Sequence, residues 1–152
     1  MKVLRNIFYL FFPLLVGTLS SILSGDISNS FEMLTKPALA PPGFVFGIVW
    51  PILYILMGIA YYLIKQQNSF KEKAASFWHY AQLFFNFFWS IIFFRFESLW
   101  FAFVWLVLLF GCIIITFIKF REINKTSAYL LIPYILWVIF AGYLNLSFAI
   151  LN

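Results

Sequence analysis

Five apolar runs follow one another along this chain, each close to the roughly twenty residues that span a bilayer core, and no Asp, Glu, Lys or Arg falls in the middle third of any of them. In lipid, every backbone N–H and C=O must find its partner inside the protein, and runs of this length satisfy that requirement as helices. The expected architecture is all-α, an integral membrane bundle of five transmembrane helices over about residues 6–25, 42–64, 74–94, 99–118 and 126–151, in a single domain covering 1–152. Composition agrees. The 152 residues are 64% hydrophobic and 10% charged, with a mean hydropathy of +0.99, whereas soluble domains are about 45–50% apolar. The first run is too long for the apolar core of a signal peptide and lacks a small-residue cleavage site, so it is expected to stay as a helix.

The connections set the sidedness. Lys2, Arg5, Lys65, Lys71, Lys73, Lys119, Arg121 and Lys125 fall on one side of a five-span bundle, against Lys36 and Arg95 on the other. By the positive-inside rule the N-terminus is cytoplasmic and the C-terminus outside, as suits a bacterial plasma membrane. The net charge of +5 therefore reports topology, and no nucleic-acid partner is expected. One cysteine, Cys112, and one histidine, His79, cannot assemble a Cys/His metal site or an intrachain disulfide, so no metal is expected. Without ionisable groups at mid-span, a proton relay or ion-coupled pump has no parts.

The loop from Asp26 to Ala40 is the one long connection, and it reads either as a lid over a pocket mouth or as a plain linker. It runs into Lys36 to Tyr54, where Pro41 and Pro42 hold the chain extended and a helix starts near Pro42 or Gly43. Gly43 and Gly47, one turn apart, should let another helix approach closely, and Gly17, Ser21 and Gly25 form a similar ridge in segment one. Pro51 removes the backbone bond to the Gly47 carbonyl beside Trp50 and Tyr54, which reads as a pocket wall or as a kinked packing helix. Segment three carries Gln82, Asn86, Trp89 and Ser90 near one face, a polar stripe that should face protein and either glues helices or orients a polar ligand. Ser98 is placed to cap segment four. In segment five, Pro133 precedes Tyr134, Trp137, Ala141 and Asn145 on one face. Trp78 and Trp100 read as interfacial anchors, Trp105 as lipid-facing or packed, and Cys112 as inert packing. His79, just inside segment three, reads as interfacial, with axial haem ligation as the alternative.

Together these segments resemble the TspO/MBR family, also called translocator proteins or peripheral-type benzodiazepine receptors. The resemblance rests on Lys36-Pro37, Pro41-Pro42-Gly43, Phe46-Gly47-Ile48-Val49-Trp50, Gln82-Leu83 with Asn86 and Trp89-Ser90, Leu131-Ile132-Pro133-Tyr134 with Trp137, and Ala141 with Leu144-Asn145. It implies a membrane receptor, sensor or carrier, commonly a homodimer, that binds protoporphyrin-type tetrapyrroles and similar hydrophobic molecules within the bundle. Protoporphyrin IX or haem would be ligand rather than cofactor. The family's pocket positions correspond to Trp50, Tyr54, Asn86, Trp89, Ser90, Tyr134, Trp137 and Ala141, and Pro42, Gly43, Phe46 and Asn145 from the same signatures complete the candidate set. The resemblance also implies an alternative activity, light-dependent protoporphyrin degradation, with Trp50 and Trp137 as its candidate catalytic residues. A scaffold without a small-molecule ligand is the further alternative. The chain departs from the family at Ala38, Leu39 and Ala40, where members often carry a tryptophan, and Tyr143 lacks the following basic residue of the sterol-recognition pattern.

Overall fold

The computed structural model describes residues 1–152, which form helices and connections only. Helix α1 spans Lys2–Leu23, the short α2 Ile27–Met33, α3 Phe44–Gln66, α4 Glu72–Ser90, α5 Leu99–Arg121, α6 Lys125–Tyr129 and α7 Ile132–Leu151. A π-helical segment, Ile91–Arg95, continues α4. The chain is an all-α membrane bundle. Four stretches, Lys2–Leu23, Phe44–Gln66, Leu99–Arg121 and Lys125–Leu151, are long and apolar enough to cross a bilayer. The fifth crossing, α4 with its π extension, is less apolar because it carries His79, Gln82 and Asn86, all of which the bundle buries.

The two ends of the bundle have different chemistry. At one end Gln66 bonds Asn6, Lys65 pairs with Glu72, and Glu122 accepts from Lys71 at 3.0 Å and Lys119 at 3.3 Å. The N-terminal segment and the two basic connections therefore gather together. At the other end Arg95 donates to the Leu23 carbonyl at 3.1 Å, so a cation meets the carbonyl end of α1 where the helix dipole favours it. Asn152 brackets the backbone of Thr35 there, accepting from its N–H at 2.8 Å and donating to its carbonyl at 3.2 Å. The termini thus lie at opposite ends.

Local sequence explains the helix boundaries. Val45 N–H bonds the Pro42 carbonyl and Phe46 N–H the Gly43 carbonyl, so the turn that opens α3 begins where the prolines end. Asp26 caps α2 by accepting from Asn29 N–H at 3.0 Å, and Asn124 caps α6 in the same way. Ser98 occupies the cap position of α5, but its side chain makes no cap bond, so the expected capping is by position alone. Pro13 and Pro51 sit inside helices that continue through them, and Pro133 lies in the first turn of α7, after the break at Leu130 and Leu131.

Glycine sets one helix pair, through Gly17 of the expected ridge and through Gly58. A methyl group on Gly58 would run into the Leu10 carbonyl, and one on Gly17 into the Tyr54 ring, so α1 and α3 touch through these two residues. Beside Gly47 a methyl group would meet nothing within 4 Å, so no helix approaches there and that part of the expected groove is open space. Gly25 lies past the end of α1 with φ +82°, the left-handed conformation in which a side chain is strained, and so ends the helix rather than extending its ridge. Elsewhere polar bonds join helices: Ser127 to the Ala60 carbonyl at 2.6 Å, and Trp105 to the Phe85 carbonyl at 2.8 Å.

Candidate functional site

A cavity lies where α1 and α3 separate. It holds about 440 Å³, within the roughly 300–1,000 Å³ range of small-molecule sites. Leu14, Gly17, Thr18, Ser21 and Ile22 of α1 line one side at helical spacing, and Phe44, Phe46, Gly47, Trp50, Pro51 and Tyr54 of α3 line the other. Asn86, Trp89, Ser90 and Phe94 form the back wall, and Ile27 and Ser28 of α2 reach over the top.

The α3 wall is an aromatic surface. Trp50 stacks on Tyr54 with ring centroids 5.6 Å apart and planes at 27°, and it meets Trp89 at 6.0 Å and Tyr134 edge-on at 6.3 Å. Behind this wall a chain of buried hydrogen bonds fixes the rings. Tyr54 donates to Asn86 Oδ1 at 2.5 Å, Asn86 donates to Tyr134 at 2.8 Å, and Tyr134 donates to Gln82 at 2.9 Å. Trp89 donates to Asn145 at 3.1 Å, and Asn145 donates to the Leu99 carbonyl at 2.9 Å. The polar stripe of segment three does face protein, and the glue reading describes most of it.

The α1 side supplies hydroxyls. Ser20 donates to the Phe87 carbonyl at 2.6 Å. Ser24 donates to the Ser20 carbonyl at 2.7 Å. Ser90 Oγ lies 2.7 Å from Ser20 Oγ and 2.8 Å from Ser24 Oγ, and with one proton it serves one of them at a time. The cluster therefore keeps spare acceptor capacity beside the cavity. No charged side chain lines the cavity.

α2 closes the top. Phe31 is 3% exposed and packs edge-on against Phe46 at 5.2 Å and Phe148 at 5.6 Å, so the long connection is a packed lid. Lys36, the cation nearest to this roof by sequence, pairs with Glu32 at 2.5 Å and lies over the Phe31 ring at 5.1 Å.

Of the residues expected at a site, Gly43, Phe46, Trp50, Tyr54, Asn86, Trp89 and Ser90 come together on this cavity. The α7 group sits elsewhere. Tyr134 reaches the site only through Asn86 and Trp50. Trp137 packs edge-on against Phe46 at 5.7 Å, its indole N–H buried without a partner. Ala141 and Asn145 border a much smaller gap under Phe31, and Pro42 lines neither space. The α1 face was missed, because Gly17 and Ser21 read from sequence as a packing ridge. His79 faces the bundle interior: it is 0% exposed, stacked on Tyr61 at 4.1 Å and 9°, with neither ring nitrogen bonded.

The description TspO/MBR family belongs to a family model that matches residues 9–151 of this chain. The chain belongs to the TspO/MBR family. The tryptophan-rich protein TspO of Archaeoglobus fulgidus is 29% identical over 153 residues, covering 100% of this chain and 99% of that protein. The TspO of Chlorobaculum tepidum is 36% identical over 126 residues, 80% of this chain and 78% of its own. The human translocator protein is 34% identical over 129 residues, 83% of this chain and 76% of its own. Matches of this extent make the bundle a TspO/MBR bundle, and the cavity between α1, α3 and α4 is a space inside that family's fold.

Proposed function

We propose that this TspO/MBR protein is a membrane receptor or carrier whose cavity binds a flat hydrophobic ligand of the protoporphyrin type. The observation that carries this reading is the stacked Trp50–Tyr54 wall on one side of a cavity of about 440 Å³. A planar macrocycle gains there by stacking, on the order of 1 kcal/mol per well-placed aromatic contact beyond the burial of its apolar area. The spare acceptors at Ser90 and Ser20 suit the pyrrole N–H groups, and the uncharged lining favours keeping propionates at the roof, near Lys36. Sidedness follows the basic residues, with the N-terminal end cytoplasmic, and a homodimer is the expected assembly.

A dark titration of the detergent-purified protein with protoporphyrin IX, followed by tryptophan emission, tests the reading. Saturable quenching is expected to weaken in Trp50→Ala and to persist in Trp137→Ala. Absence of saturable quenching in the unaltered protein removes the reading.

One observation favours a second reading. Trp50 borders the cavity and touches Tyr54, Trp89 and Tyr134, so when an electron passes from Trp50 to a photoexcited porphyrin and on to dioxygen, these rings can share the hole until the porphyrin refills it, and the porphyrin radical cation and superoxide then combine into the oxidised product. Illumination in the presence of dioxygen, the oxidant that degradation requires, would then bleach more than one equivalent of porphyrin, and Trp50→Phe would slow it. Bleaching at an equal rate in Trp50→Phe rejects this enzyme.

A further inference from the structure

We infer that the cavity fills sideways from the lipid, through a slot between α1 and α3, rather than from water past the lid. The inference deepens the proposed binding site and rests on that reading.

α1 and α3 are in tight contact at Leu10 with Gly58 and at Gly17 with Tyr54. Beyond that level they part. Beside Gly47 nothing lies within 4 Å of where a side chain would begin. Of the residues that both border the cavity and are exposed, all but one lie on the two facing helix edges, Thr18, Ser21 and Ile22 on α1 and Phe44, Gly47 and Pro51 on α3, and the other is Ser28 of α2. Thr18 lies about 8 Å below the end of α1 at Leu23, and Pro51 about 10 Å below the start of α3 at Phe44, at 1.5 Å per residue. The slot therefore descends about a third of the way into a hydrocarbon core of roughly 30 Å.

Its chemistry suits lipid. The rim carries no charge, and the Thr18 hydroxyl donates to the Leu14 carbonyl of its own helix at 2.8 Å, which satisfies its proton within the helix. On the aqueous side Ser28 of α2 is the one exposed residue that borders the cavity. The buried Phe31 and the two Asn152 bonds to Thr35 hold the roof down. The admitted molecules are those that dissolve in the hydrocarbon of the lid-side leaflet and carry uncharged polar groups at their buried edge.

The test uses the full chain in vesicles whose phospholipid is brominated along the acyl chain, with the Trp50 emission taken as the difference from Trp50→Phe. Brominated lipid is expected to quench Trp50 and aqueous iodide to leave it unquenched. Gly47→Phe, whose ring enters open space, should at least halve the lipid quenching. With protoporphyrin IX dissolved in the bilayer, Gly47→Phe should slow binding about tenfold, whereas Asn152→Ala, which loosens the roof, should leave the rate unchanged. Quenching by iodide without quenching by lipid overturns the slot, as does faster binding in Asn152→Ala with no change in Gly47→Phe. If the unaltered protein binds no protoporphyrin, the proposed ligand falls, and the bromine quenching still decides the slot.

Discussion

Tyr54 on α3 donates a 2.5 Å hydrogen bond to Asn86 on α4, and this bond holds the stacked Trp50–Tyr54 wall against the back of the cavity. Because Asn86 also donates to Tyr134, one amide joins three helices and the site to the core.

Removing either partner therefore has unequal effects. Tyr54→Phe leaves the Asn86 oxygen short of a donor and is expected to cost about 1 kcal/mol, the scale of polar bonds between membrane helices. Asn86→Leu strands the Tyr54 hydroxyl and deprives Tyr134 of a donor, and is expected to cost about 2 kcal/mol. Unfolding in a graded series of denaturing detergent measures both. Equal stability of Asn86→Leu and the unaltered protein would show that the amide holds nothing.

The glycines make a sharper contrast. Gly58→Ala drives a methyl group into the Leu10 backbone and is expected to destabilise by at least about 1–3 kcal/mol. Gly47→Ala meets open space and gains helix propensity, so it is expected to stabilise the ligand-free protein by up to about 1 kcal/mol. Thermal melts in detergent without ligand give the comparison, and a destabilised Gly47→Ala would contradict the open edge of the cavity.

His79 carries two buried nitrogens with no bonding partner, and its ring packs against Tyr61 and Phe120. Replacing it with an apolar ring removes an unmatched polar group, so His79→Phe is expected to match or exceed the unaltered stability by about 1 kcal/mol. Its haem spectrum should be unchanged. Loss of an axial-ligand band in His79→Phe would restore the haem-ligand role.

Glu122 lies outside the spans, and its hydrogen bonds from Lys71 and Lys119 hold its carboxyl below the ordinary value of 4.5. A depressed carboxyl stabilises above its unfolded pKa and loses that contribution as pH falls through the folded one. The docking of the α3–α4 connection onto the end of α5 is thus expected to be constant from neutral pH down to about 4.5 and to loosen only below it. Hydrogen exchange at Lys71 reports it. Glu122→Gln should weaken the docking at neutral pH and flatten the acid response, and an unchanged acid response would place the effect elsewhere.

Much of this molecule was legible in the chain. The five crossings, the basic end, the prolines that start α3 and the inward face of Gln82, Asn86 and Trp89 follow from hydropathy, charge and a period of 3.6 residues. Those signals are local, since lipid penalises an unpaired backbone or a charge wherever it occurs along a helix.

What periodicity cannot say is which neighbour a face meets. Trp50 on α3 and Trp137 on α7 follow similar Pro, Trp and Tyr patterns, yet one borders the cavity and the other packs against Phe46. Gly47 and Gly17 both read as close-packing glycines, and only Gly17 is one. The Ser20–Ser90 contact spans 70 residues of sequence. Sequence by itself determined that there would be five crossings, which end of the bundle is basic and which faces turn inward; tertiary structure alone decided that α1, α3 and α4 would enclose the space. The reason is physical: burial fixes a helix's inward face, but the rotation and separation of two helices come from close contacts such as Leu10 with Gly58, made only once both are in place.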